Sequence, residues 1–204
     1  MKKKNKSERE FGYKLLKPFV ITYFKLKYKP TVIGSENIPS SGPIILCGNH
    51  VHTHDQYNVM MVTKRVIHYM AKDEYFYGPF RWFYKLSGCI KVNRSIHDKN
   101  AKNEALDILN SGKALGIFPE GTRNKTIGTK DEVELLPFKY GAVSLAKKTG
   151  ALIVPFAITG KYIGKDGNLT TRIGAPIDIK DLDLESANQL LRKNILDLMH
   201  KSEK

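Results

Sequence analysis

The feature that most limits what this chain can fold into is a regular alternation. Short apolar runs rich in Val, Ile and Leu are separated by longer stretches with apolar residues at helical spacing. The runs at 31–34, 44–47, 66–70, 89–92, 114–118 and 152–157 are strand candidates, with 169–173 as a later, more exposed one. Helix candidates lie at 56–63, 79–87, 102–111, 139–149 and 185–201. Gly112 and Gly150 stand just past two of these helices, where a winding chain stops most easily. Strands that alternate with helices pair in parallel, because each helix carries the chain back across one sheet face. The order therefore predicts a single α/β domain: a mixed, mostly parallel sheet flanked by helices.

At 204 residues and 41% apolar composition the chain has room for one domain with a sizeable core. Its formal charge of +14 draws it toward polyanions, either nucleic acid or an anionic membrane surface. No RNA-binding or helix-turn-helix signature is found, so no nucleic acid is expected. Cys47 and Cys89 are far apart with no C-x-x-C and read as two small apolar residues. No secretory leader is read, and residues 1–10 are expected to form a disordered basic tail. No segment approaches the roughly 20 apolar residues that cross a bilayer. Phe11, Leu15, Phe19 and Tyr23 do recur at approximate helical spacing among lysines, as in an N-terminal amphipathic helical segment that lies on a membrane, with Pro18 starting or kinking it. The expected division is 1–30 for the tail and membrane-contacting helix and 31–204 for the α/β domain.

Two strings carry chemistry. In Asn49-His50-Val51-His52-Thr53-His54-Asp55, a His and an Asp five residues apart follow a strand and precede a helix. If Asp55 turns back to the imidazole of His50, it fixes the tautomer and stabilises the imidazolium that forms when His50 takes a proton. The same string offers His50, His52, His54 and Asp55 to a metal, as in a metal-dependent hydrolase. A zinc site of that kind needs further convergent ligands, and His68, His97 and His200 stand in no matching context. The base is therefore preferred and no metal is expected. In Phe118-Pro119-Glu120-Gly121-Thr122-Arg123, Gly121 lets backbone approach a ligand and Arg123 offers a planar fork for phosphate. Glu120, a carboxylate beside such a phosphate, makes sense if it orients Arg123 or bonds a hydroxyl. The segment 124–137 reads as an irregular loop that either covers ligand or merely connects.

The order N-H-x-x-x-x-D, then Gly88-Cys89-Ile90-Lys91-Val92-Asn93-Arg94, then F-P-E-G-T-R, then Val154-Pro155-Phe156-Ala157-Ile158, resembles the glycerolipid acyltransferases typified by 1-acylglycerol-3-phosphate acyltransferase. The resemblance runs from about Val32 to Ile158, and His52 and His54 depart from the usual pattern between the motif's ends. It implies a glycerol-3-phosphate acyltransferase-like fold and acyl transfer from acyl-CoA or acyl carrier protein to the hydroxyl of lysophosphatidic acid, giving phosphatidic acid. His50 and Asp55 would be catalytic. Arg94, Glu120, Gly121, Arg123 and Lys91 would hold the acceptor phosphate, and no cofactor is implied. The expected place is the cytoplasmic face of the cell membrane, bound peripherally. Other lysophospholipids or glycerol 3-phosphate stand as alternative acceptors, and a non-catalytic basic lipid-binding protein as an alternative of another class.

Overall fold

The computed structural model describes residues 6–79, 81–93, 95–96, 98–127, 130 and 132–201, without the side chains of 6–9. Its strands are β1 (Thr31–Ile33), β2 (Ile44–Gly48), β3 (Ile67–Lys72), β4 (Ile90–Val92), β5 (Ala114–Ile117), β6 (Leu152–Thr159) and β7 (Thr170–Ile173). Its helices are α1 (Lys6–Tyr28), α2 (Asp55–Met61), α3 (Arg81–Leu86), α4 (Lys99–Asn110), α5 (Gly141–Thr149) and α6 (Leu184–His200). The strands form one sheet in the order β1-β7-β6-β2-β5-β3-β4, and each pair is parallel except β6 with β7.

Alternation along the strands divides the core in two. Ile45, Cys47, Leu115 and Ile153 face α4, α5 and α6, whereas Ile44, Leu46, Val154 and Phe156 face the side covered by Phe24 and Tyr28 of α1 and Val59 of α2. Asp98 starts α4 by accepting the Ala101 N–H at 3.0 Å, and Asp183 starts α6 by accepting the Ser186 N–H at 2.9 Å.

Two expectations change. The strand at 169–173 is not exposed: all of β7 is buried, because it lies between β1 and β6 rather than at an edge. Arg172 is accommodated there by donating to the Thr159 hydroxyl at 3.0 Å. Residues 1–10 are also not wholly a tail, since α1 begins at Lys6 and Glu10 pairs with Lys113 at the start of β5. Lys, Glu and Arg are good helix formers, and this ion pair ties their turn to the domain. Pro18 sits inside α1 rather than at its start.

The first helix has two apolar faces. Tyr13, Phe24 and Tyr28 are buried against the domain, and the helix crosses α3 so closely at Gly12 that a Cβ there would lie 2.6 Å from the Leu86 carbonyl oxygen. On its other side Phe11, Leu15, Phe19, Tyr23 and Leu26 are 55–71% exposed. Cys47 is fully buried, and loss of hydration pushes its thiol pKa up, as a small core residue requires.

Candidate active site

Three adjacent parallel strands, β5, β2 and β6, end side by side, and the segments that leave them meet at one edge of the sheet. After β2 the chain moves to one side of the sheet, toward β3 and β4, and after β5 it crosses β2 to reach β6. Such a reversal opens a crevice at the carboxyl ends of the strands. His50 lies two residues past β2, and its imidazole stacks on Phe118, one residue past β5, with ring centroids 4.1 Å apart.

Asp55 is fully buried at the start of α2, and its carboxylate turns back over the preceding loop. Its Oδ2 accepts from His50 Nδ1 at 2.7 Å, from the Val51 N–H at 2.7 Å and from the His52 N–H at 2.8 Å. With Nδ1 engaged, Nε2 is the nitrogen left to take a proton. The ring is only 18% exposed and lines a cavity of about 740 Å³.

The backbone of His50 is gripped from the β5 side. Its N–H donates to Glu120 Oε1 at 2.8 Å, and its carbonyl accepts the Asn124 N–H at 2.6 Å. On the β6 side Asn49 is clamped to Ile158, donating to its carbonyl and accepting its N–H, both at 2.8 Å. The second oxygen of Glu120 accepts the Leu136 N–H at 2.8 Å, and the Asn124 amide donates to the Val133 carbonyl at 2.6 Å. Asn124, Val133 and Leu136 are thereby tied to the site.

Glu120 thus differs from expectation: it is buried, and its oxygens serve backbone amides rather than Arg123 or a hydroxyl. Burial pushes its pKa up, opposed by those two N–H groups and the nearby His50. Arg123, Gly121 and Lys139 line the cavity. Gly121 has φ of 71°, and a Cβ there would lie within 3.0 Å of the Lys139 stem, so its bareness serves both the turn and the lysine. Lys91 does not join them, because its ammonium lies over the Tyr77 ring, 4.4 Å from the centroid, away from the cavity wall. Arg94 lies outside the described residues, as does His97. Elsewhere the wall mixes apolar and aromatic side chains, among them Met60, Tyr69, Phe83 and Tyr84, with polar and charged ones such as Gln56, Glu74 and Asp98, and Cys89 joins it only half-buried.

The extra histidines pack on one another and on aromatic rings. His52 meets His54 edge-on at 4.8 Å and accepts its N–H at 3.2 Å, and His54 Nδ1 is 3.1 Å from the Tyr28 hydroxyl. Burial lowers the pKa of both. Among the described residues no three His, Cys, Asp or Glu side chains are grouped to hold a metal ion.

The profile of the family described as Acyltransferase matches residues 29–159, a span that contains all of this geometry up to the end of β6. The chain belongs to the acyltransferase family. Among its relatives, a 1-acyl-sn-glycerol-3-phosphate acyltransferase of Saccharomyces cerevisiae is 32% identical over 79% of this chain and 56% of its own length. Those of Borreliella burgdorferi and Bacillus subtilis are 35% and 34% identical, over 64% and 74% of this chain and 51% and 74% of their own lengths. The chain thus spans about half the length of the first two. The crystal structure of the 1-acyl-sn-glycerophosphate acyltransferase of Thermotoga maritima shares the fold, with a TM-score of 0.71, 23% identity, and 96% of this chain and 83% of that one covered.

Within the acyltransferase frame, sequence reasoning located His50 and Asp55 but missed Phe118 as the stacking surface, Asn124 as a backbone clamp and Tyr162 beside Asp55. Phe118 opens the F-P-E-G-T-R string and Asn124 directly follows it, but the string does not reveal what either touches. Glu120→Gln offers the clamp one acceptor where two are needed and sets an NH₂ group against a backbone donor. The expected loss is about 1–3 kcal/mol, read as a melting temperature lowered by roughly 2–4 °C per kcal/mol. An unchanged melting temperature would show that Glu120 does not bridge these amides.

Proposed function

We propose that this acyltransferase moves a fatty acyl group from acyl-CoA or acyl carrier protein to the free hydroxyl of 1-acylglycerol 3-phosphate, giving phosphatidic acid. The observation that carries the reading is the His50–Asp55 pair facing one cavity that joins cationic side chains, Arg123, Lys125 and Lys139, to a wall of Met60, Tyr69 and Phe83. A phosphate and an acyl chain need those two environments at once. The names of the relatives support the same acceptor.

His50 Nε2 removes the acceptor's hydroxyl proton as that oxygen attacks the thioester carbonyl carbon. The tetrahedral intermediate collapses by breaking the C–S bond, and the departing thiolate takes the proton back from the imidazolium. Asp55 holds the ring and offsets its transient charge. Arg123, on the turn made by Gly121, binds the acceptor phosphate and so brings the hydroxyl to the base.

The same reading puts the protein peripherally on the cytoplasmic face of the membrane, where an anionic surface and a lysophospholipid meet it. Its support is the exposed stripe Phe11, Leu15, Phe19 and Tyr23 on α1, bordered by exposed Lys14, Lys25 and Lys27. Among the described residues no helix is long and apolar enough to cross a membrane.

His50→Ala should lower acyl transfer to lysophosphatidic acid roughly 10²–10⁴-fold with the fold intact; near-normal turnover by purified protein would remove His50 as the base. Arg123→Ala should raise the acceptor KM about tenfold or more and spare the donor KM; an unchanged acceptor KM rejects the phosphate contact. Phe19→Asp should weaken co-sedimentation with anionic phospholipid vesicles without lowering the melting temperature. Undiminished vesicle binding would rule out this face of α1 as the docking surface.

A further inference from the structure

Tyr162 follows β6, the strand that flanks β2 on the side away from β5, and reaches the active site from the opposite direction to Glu120. Its ring is fixed by neighbours: it stacks on His52 with centroids 4.1 Å apart and meets Tyr28 of α1 edge-on at 5.4 Å. Its hydroxyl donates to Asp55 Oδ1 at 2.5 Å and accepts from Asn58 Nδ2, on α2, at 2.7 Å. Burial and the Asp55 charge push the phenol pKa up, so it keeps its proton and remains a donor.

We propose that Tyr162 is a positioning residue for the proton transfer, its hydroxyl holding the Asp55 oxygen that His50 does not use. The inference rests on the acyltransferase reading of the His50–Asp55 pair and adds a residue outside the motifs that define it. Asp55 Oδ2 is already held by His50 and two backbone N–H groups, so its orientation survives a change at position 162. What changes is charge. A strong donor on Oδ1 draws off part of the carboxylate's negative charge, and its loss leaves more to stabilise the His50 imidazolium. An imidazolium held too firmly returns its proton reluctantly to the leaving thiolate.

The other groups around this pair are His52 and His54 on the same loop, Lys27 and Tyr28 on α1, Tyr69 on β3, Glu120 and Arg123 after β5, and Arg192 on α6 behind Glu120. Tyr162→Phe leaves them all in place and keeps the ring that stacks on His52.

The test compares wild type, Tyr162→Phe and Asn58→Ala by NMR titration of the His50 ring protons, alongside kinetics with lysophosphatidic acid and an acyl thioester. In Tyr162→Phe the midpoint of the His50 titration should rise by at least about 0.3 pH unit. The acidic limb of the kcat/KM profile should follow it, and kcat should fall about twofold or more, in step with the shift, with acceptor KM within about twofold. Asn58→Ala, which removes the donor behind the phenol, should shift the titration the same way by less, and it stands in if Tyr162→Phe does not fold. A midpoint that stays in place or falls overturns the proposal. A midpoint that rises in protein with no acyl transfer sinks the proposed reaction, and one that rises where transfer survives His50→Ala sinks His50 as its base; either leaves the Tyr162–Asp55–His50 linkage standing.

Discussion

A carboxylate with no exposure to solvent must find in the protein every hydrogen bond that water would have given it, and Asp55 is such a group. Two of its donors are backbone N–H groups of the loop that carries His50, the third is the imidazole itself, and the fourth comes from Tyr162 across the sheet. Satisfying Asp55 therefore closes the loop 49–55 into one shape. The imidazole is oriented as a by-product of burying a charge. The N-cap residue of α2 is His54, whose side chain makes no cap bond and lies 3.1 Å from the Tyr28 hydroxyl instead.

The sheet order supplies the rest. Because β2 lies between β5 and β6 and runs parallel to both, whatever leaves those strands at their carboxyl ends must pass beside His50. From one side come Phe118, Glu120 and Asn124, which fix the ring face, the N–H and the carbonyl of His50. From the other come Ile158, clamped by Asn49, and Tyr162. No helix need move to assemble the site, since strand pairing has already brought its parts within hydrogen-bond reach.

The alternation of apolar runs and helical stretches made the elements legible, because each is a local pattern of period two or 3.6. The strand order was not legible, since β2 pairs with residues 70 and 108 positions away, as in Ile44 with Ala114 and Leu152, and leaves no local mark of it. Thr170, Thr171 and Arg172 looked like an exposed strand because their side chains are polar, while burial follows from position in the sheet. The same limit holds at the site. His50 and Asp55 could be read because five residues separate them, whereas Tyr162 is 107 residues from Asp55 and belongs to no recognisable string. Glu120 could be seen to matter, but its partners are backbone amides, which every residue possesses and no sequence pattern displays.

That last point resolves a conflict inside the F-P-E-G-T-R string, where a carboxylate and an arginine share one turn beside a proposed phosphate. The left-handed turn at Gly121 separates them: Glu120 is buried beneath His50 and Arg123 lines the cavity. Two backbone N–H donors hold the buried carboxylate, so its oxygens are turned to the backbone rather than to the cavity. An anion entering there meets the guanidinium and the lysines rather than the acid. Glu120 acts behind the imidazole, where it fixes the backbone from which His50 projects, while Arg123 faces the cavity.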